Sequence, residues 1–132
     1  MNNFREQYEK ALYFVNGLDT PIKINSINSE IESLLEERKF ETWAYLTAFN
    51  PQSIILPIEE NLRRNKELYW EIRAYYILKG KGCDPKGEWL PEDSYFILGI
   101  NLKEARQLAL KYNQSAFVYG EKGNPAQLIF SA

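Results

Sequence analysis

Two adjacent acidic residues, Glu92 and Asp93, offer the clearest material for chemistry in this sequence. They follow the segment GEWLP and precede an apolar run, so they stand where a loop enters a strand. A carboxylate at such a junction can reach into a cleft and serve as a general base, or help to hold a hard cation such as Mg²⁺. The alternative is an acidic pair on a solvated strand entry, which we favour for Asp93 and leave open for Glu92.

The absence of histidine limits the chemistry that this chain can perform. It excludes Ser-His-Asp and Cys-His nucleophiles, zinc sites built on histidine, and a histidine general base. Catalysis would have to come from Asp, Glu, Lys, Tyr or Arg, and Glu92 is then the candidate catalytic residue. The sequence indicates no dedicated metal site and identifies no cofactor.

Side-chain amides form the second group of candidate site residues. Asn50 ends the apolar run TWAYLTAF and precedes Pro51, and Asn61 and Asn65 belong to the helical segment PIEENLRRNKELYWEI. The helical period predicts an apolar stripe formed by Ile58, Leu62, Tyr69 and Ile72. Both asparagines fall inside or beside this stripe. The charged residues should point away, with Arg64 and Glu60 on the solvent flank.

Buried amides at these positions must be hydrogen-bonded, because an unpaired one costs about 1–3 kcal/mol. The partner of Asn61 and Asn65 is either the backbone around Asn50-Pro51 or a ligand. Backbone is the more common partner in proteins, and the sequence leaves both alternatives open.

Other patterns predict the elements that carry these residues. Ser29 and Glu32 form a capping-box signature for one helix. The glycines of the segment 80–91 indicate a loop that needs positive φ. The remaining predictions begin with a helix from Asn3 to about Lys10 and a hairpin over Leu12 to Asn25, with a longer first helix reaching Asn16 as the alternative. They continue with a helix over Asn101 to Tyr112 and strands over Glu41–Phe49, Ala74–Leu78, Ser94–Ile100, SAFVYG and AQLIF.

Strand direction decides which loops meet. A strand, helix and strand in succession suit a crossover that places the two strands parallel, so Asn50 and the segment after Gly80 share one end of the sheet. The next strand begins there with Glu92, and a second crossover returns the chain there at Gln114. We therefore predict an α+β fold with one mixed, partly antiparallel sheet of about six to seven strands and three to four helices, as a single domain over residues 1–132.

Composition narrows the classes of partner and compartment. A net charge of -2 and a pI near 5.3 offer no general attraction to nucleic acid or anionic lipid. No run approaches the ~20 apolar residues that cross a bilayer, and the first residues lack the apolar core of a signal peptide. Cys83 is the single cysteine, which suggests a reducing compartment. We expect a soluble cytoplasmic protein that binds a small polar ligand or a protein, with nucleic acid disfavoured and no membrane association.

Several motifs, in order, resemble one bacterial family: WAYLTAFNP, EENLRRNKEL, GCDPKG, PEDSYFILGI and ALKYNQSAFVYG. The chain resembles the domain of unknown function family 3293 from about Tyr8 to Phe130. The resemblance implies that the family pattern stresses Asn50, Pro51, Asn61, Asn65, Glu92, Ser94 and Gln114. It also brings two departures, because many relatives read Glu-Pro-Ser where this chain has Glu92-Asp93-Ser94 and some carry a histidine just before. It implies no activity.

Three functional hypotheses follow. The first is a binding module whose amide-rich cleft, with Asn50, Asn61, Asn65, Ser94 and Gln114, takes a small polar ligand, a nucleotide or a peptide, since amides both donate and accept hydrogen bonds. The second is a histidine-independent hydrolase or nuclease-like enzyme with Glu92 as general base and with Asn50 and Gln114 as transition-state donors. In the third, the cluster is purely structural. The missing histidine favours binding.

Overall fold

The computed structural model describes residues 3–87 and 90–131. In this part of the chain four α-helices accompany six strands, and a short 3₁₀ turn covers Pro51–Ser53. None of these described helices has both the length and the apolar character that a bilayer crossing requires. The elements in chain order are α1 (Asn3–Lys10), β1 (Leu12–Val15), α2 (Ser29–Arg38), β2 (Thr42–Leu46), α3 (Ile58–Ile72), β3 (Tyr76–Cys83), β4 (Glu92–Leu98), α4 (Leu102–Lys111), β5 (Ala116–Glu121) and β6 (Gln127–Phe130).

The strands form one curled sheet in the order β1-β3-β4-β2-β5-β6. The predicted α+β class and the numbers of strands and helices are confirmed. The pairing differs from the predicted mixed sheet, because every neighbouring pair in the described residues is antiparallel. The α3 crossover does set β2 and β3 in the same direction, but β4 lies between them and pairs antiparallel with both.

Each face of the sheet carries its own apolar core. Helices α3 and α4 cover the outer face, where Leu68, Ile72, Ala105 and Ala109 pack with strand residues that include Ile97. The inner face of the curl holds a second core formed by both outer strands, the centre of the sheet and α2; its members include Tyr13, Ile31, Leu35, Trp43, Tyr45, Phe96 and Val118. Residues of β4 therefore alternate between the two cores.

The segment between β1 and α2 links the two edges of the curled sheet. Tyr13 and Ile22 exchange backbone hydrogen bonds of 3.1 and 2.8 Å, which is all that the structure keeps of the predicted hairpin over Leu12 to Asn25. The chain then turns at Asn25, whose φ is 68°, and pairs with Ala126 just before β6 through a hydrogen bond of 2.8 Å. The second arm of the hairpin is short because the residues after Ile22 form hydrogen bonds with the β6 edge of the sheet instead of with β1.

Helix caps agree with the sequence at one helix and differ at another. Asn101 caps α4 as predicted, because its side chain accepts the N–H of Glu104 at 2.8 Å. The capping box at Ser29 is wrong, since Asn28 is the N-cap of α2 and accepts the N–H of Ile31 at 3.1 Å. The Asn28 amide also donates to the Thr20 carbonyl at 3.0 Å, a tertiary bond that selects this residue as the cap.

The buried face of α3 is rotated from the one that the helical period predicts. Asn61, Asn65, Leu68 and Ile72 are buried. Three of the four residues of the predicted stripe are exposed instead, namely Ile58, Leu62 and Tyr69. The predicted stripe is therefore wrong except at Ile72, because hydrogen-bonded asparagines occupy the centre of the face that apolar side chains were expected to define.

Two glycines of the predicted loop belong to the sheet. Gly80 and Gly82 lie in β3 and pair with Ser94 and Glu92, so positive φ does not explain them; Gly87, with φ of 68°, fits that expectation. A Cβ on Gly80 would lie 2.1 Å from the Phe14 carbonyl oxygen, whereas a Cβ on Gly82 would come no closer than 3.7 Å to the Tyr13 ring. Gly80 permits close backbone approach, whereas a methyl group at Gly82 would make only an ordinary van der Waals contact with Tyr13.

We predict that Gly80→Ala destabilises the protein by about 1–3 kcal/mol, because the new methyl group collides with backbone that cannot move aside. Gly82→Ala is the matched control, two residues away on the same face, and should change the free energy of unfolding by less than about 1 kcal/mol. Urea denaturation of both variants measures the difference. Equal stabilities would contradict the close approach at Gly80.

Candidate functional site

The structure brings the predicted site residues to one end of the sheet. Asn50 follows β2, Glu92 begins β4, and Gln114 precedes β5. The Asn50 amide nitrogen donates to Glu92 Oε2 at 2.8 Å, and Gln114 Nε2 donates to the Phe49 carbonyl at 2.9 Å. Residues separated by more than forty positions thus meet where the two crossovers return the chain.

Asn50 and Asn61 form a reciprocal pair of hydrogen bonds. The Asn50 backbone N–H donates to Asn61 Oδ1 at 2.9 Å, and Asn61 Nδ2 donates back to Asn50 Oδ1 at 2.8 Å. The same Oδ1 accepts the Leu56 N–H at 3.0 Å. Asn50 adopts left-handed backbone (φ 46°, ψ 67°), which asparagine tolerates better than most residues. These bonds hold the irregular segment between β2 and α3.

Asn65 joins the end of β2 to the start of β4. Its Oδ1 accepts the Ala48 N–H at 2.8 Å and its Nδ2 donates to the Asp93 carbonyl at 3.0 Å. Both asparagines of α3 thus have backbone partners, which is one of the two alternatives that the sequence left open. Contact of either with a ligand stays a prediction.

Arg64 takes part in the same framework, although the sequence placed it on the solvent flank. Its Nε donates to the Ala48 carbonyl at 2.8 Å, and a terminal guanidinium nitrogen donates to the Tyr112 carbonyl at 2.5 Å. That expectation is wrong because the long side chain reaches back along the helix surface to carbonyls at the ends of β2 and α4. Helical position alone carries no signal for such a contact.

Gln114 is held by the end of α4. Asn113 adopts positive φ (56°), and the Gln114 N–H then closes the helix on the Ala109 carbonyl at 2.8 Å. Gln114 Nε2 donates to the carbonyls of Phe49 and, at 3.4 Å, Tyr112. Its two amide hydrogens are therefore engaged, while Oε1 has no hydrogen-bond partner in residues 3–87 and 90–131.

A cavity of ≈ 320 Å³ opens beside this framework on the inner face. Gly82 belongs to its wall, and the absence of a side chain there widens it. Ser94 is buried and donates to the Glu92 carbonyl at 3.0 Å. The polar lining includes Asn50, Asn61, Glu92, Ser94 and Gln114, and the apolar lining includes Phe49, Leu56, Ile58, Val118 and Leu128. Of the predicted site residues, Asn65 alone does not line it.

Glu92 and Asp93 differ in environment because successive strand residues face opposite sides. Burial raises the pKa of Glu92 above its ordinary value, and the Asn50 amide opposes this rise only in part. Asp93 lies on the other side of β4, where its carboxylate is 3.9 Å from the Lys81 ammonium and partly exposed. Glu92 takes part in no ion pair in the described part of the chain, so its charge is the less stabilised of the two.

Metal ligands are sparse around this cavity. Within residues 3–87 and 90–131, no three or more Asp, Glu, Cys or His side chains cluster so that they could hold a metal ion. Within those residues, no cluster of three such side chains supports the predicted use of Glu92 in holding a hard cation. Glu88 and Trp89 of the segment GEWLP lie outside the described residues.

Comparison with known families adds one match. The sequence model of a family described as a protein of unknown function (DUF3293) matches residues 46–117, more than half of the chain. The chain belongs to this family. The match is shorter than the span from Tyr8 to Phe130 suggested by the resemblance, but it contains every position that the resemblance stressed. No curated protein and no solved structure matches the chain.

We predict that Asn61→Ala lowers the free energy of unfolding by about 1–3 kcal/mol, because it leaves the Asn50 N–H without its acceptor. Thermal denaturation should show a melting temperature lower by about 3–5 °C for each kcal/mol lost. Lys66→Ala, on the exposed side of the same helix, is the control and should stay within about 0.5 kcal/mol of the wild type. A melting temperature unchanged by Asn61→Ala would contradict the role of the reciprocal pair.

The raised pKa of Glu92 predicts how its stability contribution varies with pH. A carboxyl group whose pKa is higher in the folded state contributes stability that is complete below its unfolded value, ordinarily 4.5, and is lost as the pH rises through the folded value. Glu92→Gln removes this loss. As the pH rises, the free energy of unfolding of the variant should therefore increase relative to that of the wild type. The increase should be about 1.4 kcal/mol for each unit by which folding raises the pKa.

Urea denaturation of the wild type and Glu92→Gln between about pH 4 and pH 7 measures this difference. Asp93→Asn is the matched control, since it removes an adjacent carboxylate that lies outside the cavity. A difference between the wild type and Glu92→Gln that stays constant across the pH range would show that Glu92 titrates as an ordinary exposed carboxyl group.

Proposed function

We propose that this protein is a binding module whose cavity takes a small ligand with a polar end and an apolar body. The observation that carries the proposal is the ≈ 320 Å³ cavity, which is lined by Glu92, Ser94 and Gln114 together with apolar side chains. Small-molecule sites are typically concave, mostly apolar and equipped with a few converging polar groups, with volumes from about 300 Å³ upward. This cavity lies at the small end of that range.

The predicted site residues divide into two roles in this proposal. Glu92, Ser94 and Gln114 supply the polar groups that contact the ligand. Asn50 positions the Glu92 carboxylate through their 2.8 Å hydrogen bond. Asn61 and Asn65 keep the segment after β2 in place, because each has both ends of its amide bonded to the protein. Binding then requires little rearrangement of the wall.

An enzyme with Glu92 as general base is the second candidate, and the raised pKa of this carboxyl group favours it. The proposed transition-state donors support it less well. The Asn50 amide already donates to Glu92, and both hydrogens of Gln114 Nε2 are directed to carbonyls. Stabilisation of a transition state needs donors aimed at the developing charge, so the geometry favours binding.

Protection of the single thiol tests the binding proposal. Cys83 lines the cavity, and a ligand there should slow its alkylation by iodoacetamide, followed by mass spectrometry. In a screen of small fragments we predict hits that protect the wild type by at least about threefold and lose this effect in Gly82→Leu, whose side chain fills the space.

Lys81→Leu is the matched control for that screen, because it introduces the same side chain at the preceding, exposed position of β3. Fragments should protect Cys83 in this variant as in the wild type. The proposal fails if no fragment protects Cys83, or if every protecting fragment acts equally on Gly82→Leu after that variant has been shown to fold by circular dichroism.

A further inference from the structure

We propose that the ligand of this cavity is a small organic cation, with an ammonium or amidinium group on an apolar body. Its N–H groups donate hydrogen bonds to the Glu92 carboxylate. This inference rests on the proposed binding function and adds the chemical class of the ligand. It follows from the hydrogen-bonding state of the cavity wall, the charge beside it and the residues at its mouth.

Most donors around the cavity are already committed to the protein. The exceptions in the described residues are the second Asn50 Nδ2 hydrogen and one hydroxyl hydrogen of Tyr8 and Ser53, which share a bond of 3.0 Å. Hydroxyl and amide hydrogens on three strands, directly after β2 and after the end of α4 point at backbone carbonyls. The bonds run from Tyr13 to Tyr8, from Tyr45 to Phe14, from Thr47 to Asp93, from Ser94 to Glu92 and from Gln114 to Phe49, at 2.6–3.0 Å. A ligand that needs donors from these groups would have to break native hydrogen bonds.

Two side-chain acceptors of the cavity wall stay open. Glu92 accepts the Asn50 amide on Oε2, and its Oε1 has no partner within the described ranges 3–87 and 90–131. Gln114 Oε1 likewise has no hydrogen-bond partner within these ranges. Asn50 Oδ1, by contrast, already accepts two N–H groups. The cavity therefore presents an acceptor-rich edge, which a ligand satisfies by donating.

Charge selects a cation among possible donors. No lysine or arginine forms an ion pair with Glu92 in the described residues, and the pKa of Glu92 is raised because burial disfavours its charged form. A cationic head would supply the missing counter-charge, and hydrogen bonds between charged partners are stronger than neutral ones. A phosphate or carboxylate head would meet the Glu92 charge with a like charge, which disfavours nucleotides.

The residues at the mouth of the cavity favour a ligand with an apolar body. Ile55, Ile58 and Leu90 line the cavity while 81%, 55% and 85% of their surfaces remain exposed. Apolar side chains gathered at the rim of a concave site are typical of surfaces that a ligand covers. A body of aromatic or branched alkyl carbon, joined to the cationic head by a short linker, fits this arrangement.

Three probes of matched shape test the charge requirement: 2-phenylethylamine, 2-phenylethanol and phenylacetate. We expect the amine to bind at least about tenfold more tightly than the alcohol, and phenylacetate not to bind, with affinities measured by protection of Cys83 and by NMR titration. In Glu92→Gln the amine and the alcohol should bind with affinities within about twofold of each other. Asp93→Asn removes the adjacent charge outside the cavity and should keep the preference for the amine.

The outcomes separate this inference from the proposed function. Equal binding of all three probes, lost in Gly82→Leu, would overturn the cationic class while leaving the cavity a binding site. Failure of the amine to bind would overturn the cationic class too, and the fragment screen then decides independently whether the cavity binds anything. A preference for the amine that survives Glu92→Gln, or disappears in Asp93→Asn, would also overturn it.

Discussion

The reciprocal hydrogen bonds between Asn50 and Asn61 are the constraint on which the site depends. They hold left-handed backbone at Asn50, in the segment through which the chain leaves β2 and enters α3. The same Asn50 side chain reaches Leu56 in the following segment and Glu92 at the start of β4. One amide therefore connects the position of the segment after β2 with the orientation of the carboxylate.

Two glycines of β3 have different roles beside the cavity. Gly80 lets Tyr45 reach the backbone of β1, where its hydroxyl donates to the Phe14 carbonyl at 2.8 Å. Gly82, two residues further along the same face, lines the cavity without a side chain of its own. Glu92 pairs with Gly82 across the strands, so the carboxylate lies beside this space rather than against a neighbouring side chain. A charged group without a counter-charge beside apolar carbon lowers the stability of the free protein, which is typical of residues kept for function.

The end of the sheet at which the candidate site residues meet was predictable from the sequence, because chain direction depends on local patterns. The apolar runs, the caps at Asn101 and the turn at Asn50-Pro51 mark where strands and helices begin and end. Two crossovers of helical length then bring Asn50, Glu92 and Gln114 to the same end of the sheet, whether or not β2 and β3 are neighbours. The wrong expectation of mixed pairing did not disturb this result, since direction and adjacency are separate properties.

The sequence by itself determined the α+β class, most of the elements and the end of the sheet at which the polar residues meet, because these follow from periodicity and short-range backbone preferences. Only the tertiary structure decided which face of α3 is buried, the contacts of Arg64 and the atoms that stay free in the cavity. Those depend on partners distant in the chain. The backbone N–H groups of Ala48 and Asn50 donate to the α3 asparagines, and the Phe49 carbonyl accepts from Gln114. Periodicity ranks side chains by polarity, and it cannot show that a hydrogen-bonded asparagine will be buried where an isoleucine is left exposed.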